Sequence, residues 1–134
     1  MTKKNNGVIQ QYYDTTNIKL CHNYFIFNNK KEGEYKSYYQ NRQLKEICNY
    51  KNNKREGKNK IYWPNRQLQK ICNYKNNWLE GEYDTYWPNG QLQRICNLKN
   101  NEIEGEDKSY HINGQLCELY NYKNGTIEEK YKVP

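Results

Sequence analysis

The sequence predicts an all-β protein built as an elongated, single-layer antiparallel sheet of repeated β-hairpins. Three observations support this fold class: an internal repeat of about 24 residues, two turn signals in every repeat, and no sustained 3.6-residue apolar period of the kind that helices show. Two strands per repeat give about eleven strands. A sheet of that length is expected to be twisted and curled.

The repeat is clearest from Glu80 to Ile103, and its columns of residues recur along the chain without a slip in register. Each unit begins with Glu-Gly, which is followed by an aromatic pair and then by columns of Asn, Leu and Ile. The Glu-Gly pairs are Glu32-Gly33, Glu56-Gly57, Glu80-Gly81 and Glu104-Gly105. Such a repeat predicts an array in which each unit buries apolar side chains against its neighbours.

The repeat also predicts the organisation of the chain. Residues 1–7 carry no pattern and are expected to form a flexible N-terminus. Residues 8–31 form a degenerate repeat that suits a cap, because an end unit meets solvent on one side. Four full repeats occupy 32–127, and 128–134 form a partial terminal repeat.

The first turn signal of each unit is Asn-Gly, as at Asn89-Gly90. Asn-Gly favours a two-residue type I′ loop, because both central residues need positive φ. That loop would place Trp87 opposite Leu92. Arg42 and Arg66 stand at the glycine position in two other units, so slightly different turns are expected there.

The second turn signal, Asn100-Asn101, would pair Leu98 with Ile103 and Cys96 with Gly105. Side chains alternate along a strand, so all these paired residues should share one face, which is mostly apolar and aromatic. The opposite face is predicted to be mostly polar, with a narrow Tyr and Ile stripe. Its members in this unit are Tyr86, Gln93, Asp84, Ile95, Glu82 and Asn97.

The five cysteines are predicted to be unpaired. Cys48, Cys72 and Cys96 are equivalent, so neighbouring members lie two strand spacings apart, roughly 9 to 10 Å, beyond the reach of a disulfide. Cys21 and Cys117 stand at another repeat position, predicted to lie on the opposite face. Because no Cys-x-x-Cys spacing occurs, a zinc site has no support.

The repeat supplies columns of identical side chains rather than a converging catalytic set, so no enzyme, cofactor or metal is predicted. His111 occupies the tryptophan column, which favours a structural role. The glutamate column that contains Glu56 is interpreted as a solvated edge. No apolar run could cross a membrane, and residues 1–10 lack the apolar segment of a signal peptide, so a cytoplasmic location is expected.

The pattern Gly-Glu-Tyr-x-x-Tyr-Trp-x-Asn-Gly-Gln-Leu-x-x-Ile-x-Asn-Tyr-Lys-Asn-Gly resembles the MORN-repeat variant family over about 8–132. The resemblance implies an elongated single-layer array used as a scaffold, as a membrane-associated module or, in some bacterial relatives, as an antitoxin-like partner. The Lys, Asn, Tyr and Ile bias resembles that of an AT-rich genome, such as those of giant viruses. With such a source, the location would be the host-cell cytoplasm.

The leading functional prediction is a non-catalytic scaffold for protein–protein interaction, with another protein or a second copy of the chain as the partner. The apolar face would supply the docking surface, and a homodimer is one form of this prediction. The docking residues would be Tyr39, Trp63, Tyr83, Trp87 and Leu92. An antitoxin-like partner protein is a further alternative.

The alternative prediction is peripheral binding of an anionic surface, with phospholipid head groups favoured over nucleic acid. The net charge is +7, but residues 1–79 carry +11 and residues 80–134 carry −4. The basic N-terminal half would therefore supply the contacts. The candidate residues are Lys58, Lys60, Arg66 and Lys70. Salt separates the two hypotheses, because only polyanion binding should weaken steeply with ionic strength.

Overall fold

The computed structural model describes residues 6–13 and 20–133. These residues form thirteen β-strands, and no helix occurs among them. The strands are β1 (Gly7–Tyr12), β2 (Leu20–Phe27), β3 (Lys30–Tyr38), β4 (Leu44–Lys51), β5 (Lys54–Arg55), β6 (Gly57–Tyr62), β7 (Leu68–Lys75), β8 (Trp78–Leu79), β9 (Gly81–Tyr86), β10 (Leu92–Lys99), β11 (Glu102–Tyr110), β12 (Leu116–Lys123) and β13 (Thr126–Tyr131). This part of the chain contains no helix that could span a membrane.

All of these strands belong to one sheet, in which neighbours pair antiparallel in the order β1-β2-β3-β4-β6-β7-β9-β10-β11-β12-β13. The predicted all-β array of hairpins is confirmed. The short strands β5 and β8 pair with β4 and β7 and lie off this path. They raise the number above the predicted eleven, because the first strand of two units is interrupted at its Glu-Gly pair.

The Glu-Gly pair forms a bulge that the sequence reasoning missed. Leu98 pairs with Ile103 as predicted, but Cys96 pairs with Asp107 instead of Gly105. Two extra residues on β11 therefore lie between these pairs, and Gly105 has a φ of 81°. A positive φ of this size favours glycine, which explains the glycine at this point of the repeat.

The first turn also differs from the prediction. The Gly90 N–H donates to the Trp87 carbonyl at 2.9 Å, and the Trp87 N–H donates to the Gln91 carbonyl at 2.8 Å. Gly90 has positive φ whereas Asn89 does not, so the loop has three residues and is not of type I′. Leu92 consequently pairs with Tyr86 rather than with Trp87.

A bulge directly after Leu92 restores the predicted register, and Thr85 pairs with Arg94. Arginine does not alter the turn, contrary to expectation: φ is 70° at Arg42 and 73° at Arg66, against 87° at Gly90. The second turn does have the type I′ signature, since φ is positive at both residues of Asn100-Asn101.

One face of the sheet, here called the cysteine face, carries Cys48, Cys72 and Cys96, each only 2% exposed. Burial raises the pKa of the Cys48 and Cys96 thiols to about 11, so both are protonated at neutral pH. All five cysteines are unpaired. These buried thiols form a thin core, as expected of a sheet with one layer.

The opposite face, here called the tyrosine–leucine face, carries two rows of half-buried side chains. Its cross-strand pairs include Tyr62 with Leu68 and Tyr86 with Leu92. A neighbouring row contains isoleucines, among them Ile71 on the central strand β7. This face is more apolar than the predicted polar face, because the three-residue turn moves the leucine column onto it.

The predicted division of the chain ends remains a prediction. Residues 1–5 of the expected flexible N-terminus lie outside the described residues, as do 14–19 of the expected cap and Pro134 of the partial repeat. The described parts of the cap include most of β1, all of β2 and the first two residues of β3, and β1 pairs with β2.

Candidate binding faces

The aromatic column on the cysteine face ties each repeat to the next. Trp63 donates its indole Nε1–H to the Tyr86 carbonyl at 3.1 Å, and Trp87 donates in the same way to Tyr110 at 3.1 Å. The Tyr39 hydroxyl makes the equivalent bond at 2.6 Å. These side chains thus use their polar atoms inside the array, which explains why one column keeps tyrosine or tryptophan.

The glutamate column fixes the second turns, in contrast to its interpretation as a solvated edge. Glu56 Oε2 accepts a hydrogen bond from the Asn76 backbone N–H at 2.8 Å, and Glu80 Oε2 accepts one from Asn100 at 2.9 Å. The two residues of each pair are twenty positions apart in sequence. Each carboxylate therefore joins the start of one repeat to the turn that ends it.

Cations on the cysteine face are covered by tyrosine rings of the same face. The Arg55 guanidinium lies 5.9 Å from the Tyr50 ring centroid and 5.5 Å from that of Tyr74, and it contacts Glu46 at 3.3 Å. Lys31 Nζ lies 5.0 Å from its nearest tyrosine ring centroid. These distances are within the range of cation–π attraction, so the charges stabilise the face itself.

A bidentate ion pair continues this network in the C-terminal half. Arg94 Nε and Nη2 donate to the two Asp107 carboxylate oxygens at 2.8 and 2.7 Å. Hydrogen bonding to Asp107 raises the pKa of Arg94 despite its burial, and Asp107 is only 4% exposed. Each partner satisfies hydrogen-bonding groups of the other that would otherwise need water.

An open groove of about 510 Å³ runs along the cysteine face beside this ion pair. Its lining includes Trp87, Arg94, His111 and Cys117. Cys117 therefore lies on the cysteine face rather than on the opposite one, because it stands at the bulge after the first turn. No group of His, Cys, Asp or Glu in the described chain could hold a metal ion.

The predicted docking set is divided between the two faces. Tyr83 and Trp87 line the groove on the cysteine face. Tyr39 and Trp63 occupy the same column as Trp87, and their polar atoms bond to the next repeat. Leu92 lies on the tyrosine–leucine face opposite Tyr86, so the five residues do not form one surface.

The predicted polyanion set is divided as well. Lys58 and Lys60 lie on the tyrosine–leucine face, at alternate positions of β6. Lys70 lies on the cysteine face with its Nζ 5.7 Å from the Tyr83 ring centroid. Arg66 lies in the first turn, where its Nε donates to a neighbouring glutamine side chain at 2.6 Å.

A buried carboxyl group at the centre of the tyrosine–leucine face was not singled out from the sequence. Asp84 is only 7% exposed, and its Oδ1 finds no hydrogen-bond partner within the described chain. The Tyr86 hydroxyl donates to Oδ2 at 3.4 Å, which is long for such a bond. Burial, aided by the nearby Glu82 carboxylate, raises the pKa of Asp84 to about 6.

Hairpins that repeat in one sheet and are joined by equivalent hydrogen bonds define a class, the antiparallel β-hairpin repeat arrays. The family model described as MORN repeat variant matches 31–52, 55–76, 79–100 and 103–124. The chain belongs to this family, whose repeats are non-catalytic and are generally involved in binding proteins or membranes. A comparison with curated proteins gives no match.

Proposed function

We propose that the protein is a binding scaffold that docks a protein partner on its tyrosine–leucine face. The observation that carries this proposal is the contrast between the two faces. On the cysteine face, the charged groups and rings contact one another within the chain. The tyrosine–leucine face instead presents a continuous row of half-buried tyrosine and leucine side chains, beside a row in which isoleucines alternate with charged residues. No second layer of the described chain lies over these rows.

Docking on the cysteine face would require the partner to compete with existing contacts. The guanidinium of Arg94 is held by two oxygens of Asp107, and Arg55 is held by Glu46 and two rings. Both carboxylates are largely buried, so separating either one from its arginine would leave a charge without its partner. The ion pairs of the tyrosine–leucine face have more exposed carboxylates, and burying the apolar rows of this face gains roughly 25 cal/mol per Å².

A contiguous apolar surface with a polar rim is typical of protein interaction sites. The rows of tyrosine, leucine and isoleucine run along the repeat axis from β3 to β12. The members of these rows are Tyr38, Tyr62, Tyr86, Tyr110, Leu44, Leu68, Leu92, Leu116, Ile47, Ile71 and Ile95. Turn asparagines and glutamates border the array, which suits a partner with an apolar centre and a polar edge.

The anionic-surface hypothesis has less support from the placement of its residues. Lys58 and Lys60 do share the tyrosine–leucine face, but Glu82 and Asp84 lie on the same face two strands away. An anionic membrane would meet both signs of charge together. Lys70 lies on the opposite face, so the four predicted residues do not form one basic surface.

Adjacent residues on opposite faces offer a matched test of docking. Leu92→Glu and Gln93→Glu each add one carboxylate, the first on the tyrosine–leucine face and the second beside the groove of the cysteine face. Tagged wild type and both variants are compared for the proteins they retain from the native cell, after circular dichroism has established that each is folded. We expect Leu92→Glu to lose the partner that wild type and Gln93→Glu retain. Loss of the partner only in Gln93→Glu would move docking to the cysteine face and contradict the proposal.

A further inference from the structure

The centre of the tyrosine–leucine face carries two like-charged pairs that flank the central strand. Lys58 and Lys60 lie on β6, and Glu82 and Asp84 lie on β9. Both strands pair with β7, and Lys60 and Asp84 each pair with Ile71. The Cα atoms of Lys60 and Asp84 are therefore about 9 to 10 Å apart across the sheet, each one strand spacing from Ile71.

The flanking repeats do not share this arrangement. At the equivalent positions, Glu34 and Lys36 form an ion pair at 3.1 Å, and Glu106 and Lys108 form one at 2.7 Å. Opposite charges thus neutralise each other in the outer repeats, whereas like charges stand side by side in the two central ones. Like charges at neighbouring positions of one face are unfavourable unless an outside group compensates them.

We propose that the partner of the tyrosine–leucine face is a second copy of this chain, docked face to face about a two-fold axis parallel to β7. This inference rests on the proposed function. The axis exchanges the β6 and β9 positions between copies, so that Lys60 of one copy faces Asp84 of the other and Lys58 faces Glu82. Such an interface is isologous, and each contact occurs twice.

The same axis also brings the apolar rows together. A two-fold rotation about the strand direction keeps each side chain at its own height along the strand. The isoleucine row therefore faces the isoleucine row, with Ile71 opposite Ile71 of the other copy and Ile47 opposite its Ile95. Facing sheets pack about 10 Å apart, which these side chains can fill.

The distribution of charge also agrees with this occupant. The rotation places the described residues up to 79, which carry a net charge of +9, over residues 80–133, which carry −4. Complementary charge of this kind steers association and selects the antiparallel arrangement.

Charge reversal tests the proposal. One variant carries Lys58→Glu and Lys60→Glu, and the other carries Glu82→Lys and Asp84→Lys. Sedimentation equilibrium at low salt should find wild type dimeric and each variant with dimer affinity lowered roughly tenfold or more. An equimolar mixture of the two variants, and a single chain carrying all four changes, should both regain the dimer.

The control pair Lys45→Glu and Lys130→Glu makes the same change in net charge at exposed lysines whose amines lie over cysteine-face rings. This control should keep the wild-type affinity. A monomeric wild type, equal loss in the control, or failure of the mixture to associate would overturn the two-fold dimer. If the wild type is monomeric but Leu92→Glu loses a protein that the wild type retains, a different protein docks on this face. The dimer proposal and the docking proposal can therefore fail independently.

Cross-linking provides a second test if the buried Asp84→Lys change prevents folding. Cys21 and Cys117 are first replaced by serine, since they are less buried than the other three cysteines. In that background Ile71→Cys should cross-link to itself between copies with a short bismaleimide. Ile47→Cys should link to an Ile95→Cys copy but not to itself. Self-linking by Ile47→Cys, or no linking by Ile71→Cys, would overturn the proposed axis.

Discussion

The two faces of this sheet bury their side chains by different means. On the cysteine face, small thiols are covered by tyrosine rings and by arginine and lysine side chains that lie across them. On the tyrosine–leucine face, rows of large side chains lie side by side with solvent above them. A one-layer sheet can thus form a stable monomer through one face and leave the other to a partner.

Removing the main ion pair should give the largest effect on the cysteine face. Arg94→Met leaves the buried Asp107 carboxylate without its two donors, so we expect a loss of roughly 3 kcal/mol in the free energy of unfolding. Urea denaturation of the monomer measures it. Arg94→Met combined with Asp107→Leu should regain most of the loss, and equal instability of the double variant would contradict a role for the pair.

The next largest effect is expected from replacing a glycine at the bulge, because this changes the backbone that both faces share. Gly81 has a φ of 85°, while a Cβ built there meets no atom within 4 Å. Gly81→Val should therefore cost roughly 1 to 2 kcal/mol through backbone strain and not through crowding of neighbouring side chains. Gly81→Asn should cost less, because asparagine tolerates positive φ, and equal costs would contradict this cause.

A leucine of the open face should contribute less than one in a closed core. Leu68 is half-buried beside Tyr62, so Leu68→Ala is expected to destabilise the monomer by roughly 1 to 2 kcal/mol, below the usual range for buried leucines. Chemical denaturation at low protein concentration gives this value. A cost of about 4 kcal/mol would show that the face is already covered in the monomer.

Asp84 should give an effect that depends on pH. Its pKa is raised to about 6 in the folded state, so the protonated form favours folding and its stabilisation is lost as pH rises through about 6. Asp84→Asn should therefore melt at a higher temperature than wild type at pH 7.5, with the difference shrinking as pH falls below 6. These melts are recorded at low concentration, and a difference that grows on acidification would contradict the raised pKa.

Much of the fold follows from periodicity alone. The Asn100-Asn101 turn, the pairing of Leu98 with Ile103 and the equivalence of the cysteines all depend on local residue chemistry and a constant repeat length. The register between Cys96 and Asp107 could not be obtained in this way, because periodicity does not show where a repeat inserts unpaired residues. The glycine column was the available signal for that bulge.

The face assignment depended on one turn. Reading Asn89-Gly90 as a two-residue loop placed Leu92 beside Trp87, whereas Pro88 before it signals the three-residue loop that is found. Long-range pairs were beyond sequence reasoning for a different reason. The bond from Trp63 to the next repeat depends on how neighbouring hairpins stack, which no residue spacing specifies.

Hydroxyl-radical footprinting of the wild-type protein at low and high concentration tests most directly whether the tyrosine–leucine face is the docking face. Tyr62 and Tyr86 report on that face, and Tyr50 and Tyr74 report on the cysteine face. Tyr62 and Tyr86 should become protected as concentration rises, while Tyr50 and Tyr74 keep the same rate of oxidation. Protection of Tyr50 and Tyr74 with no change at Tyr62 and Tyr86 would contradict docking on the tyrosine–leucine face.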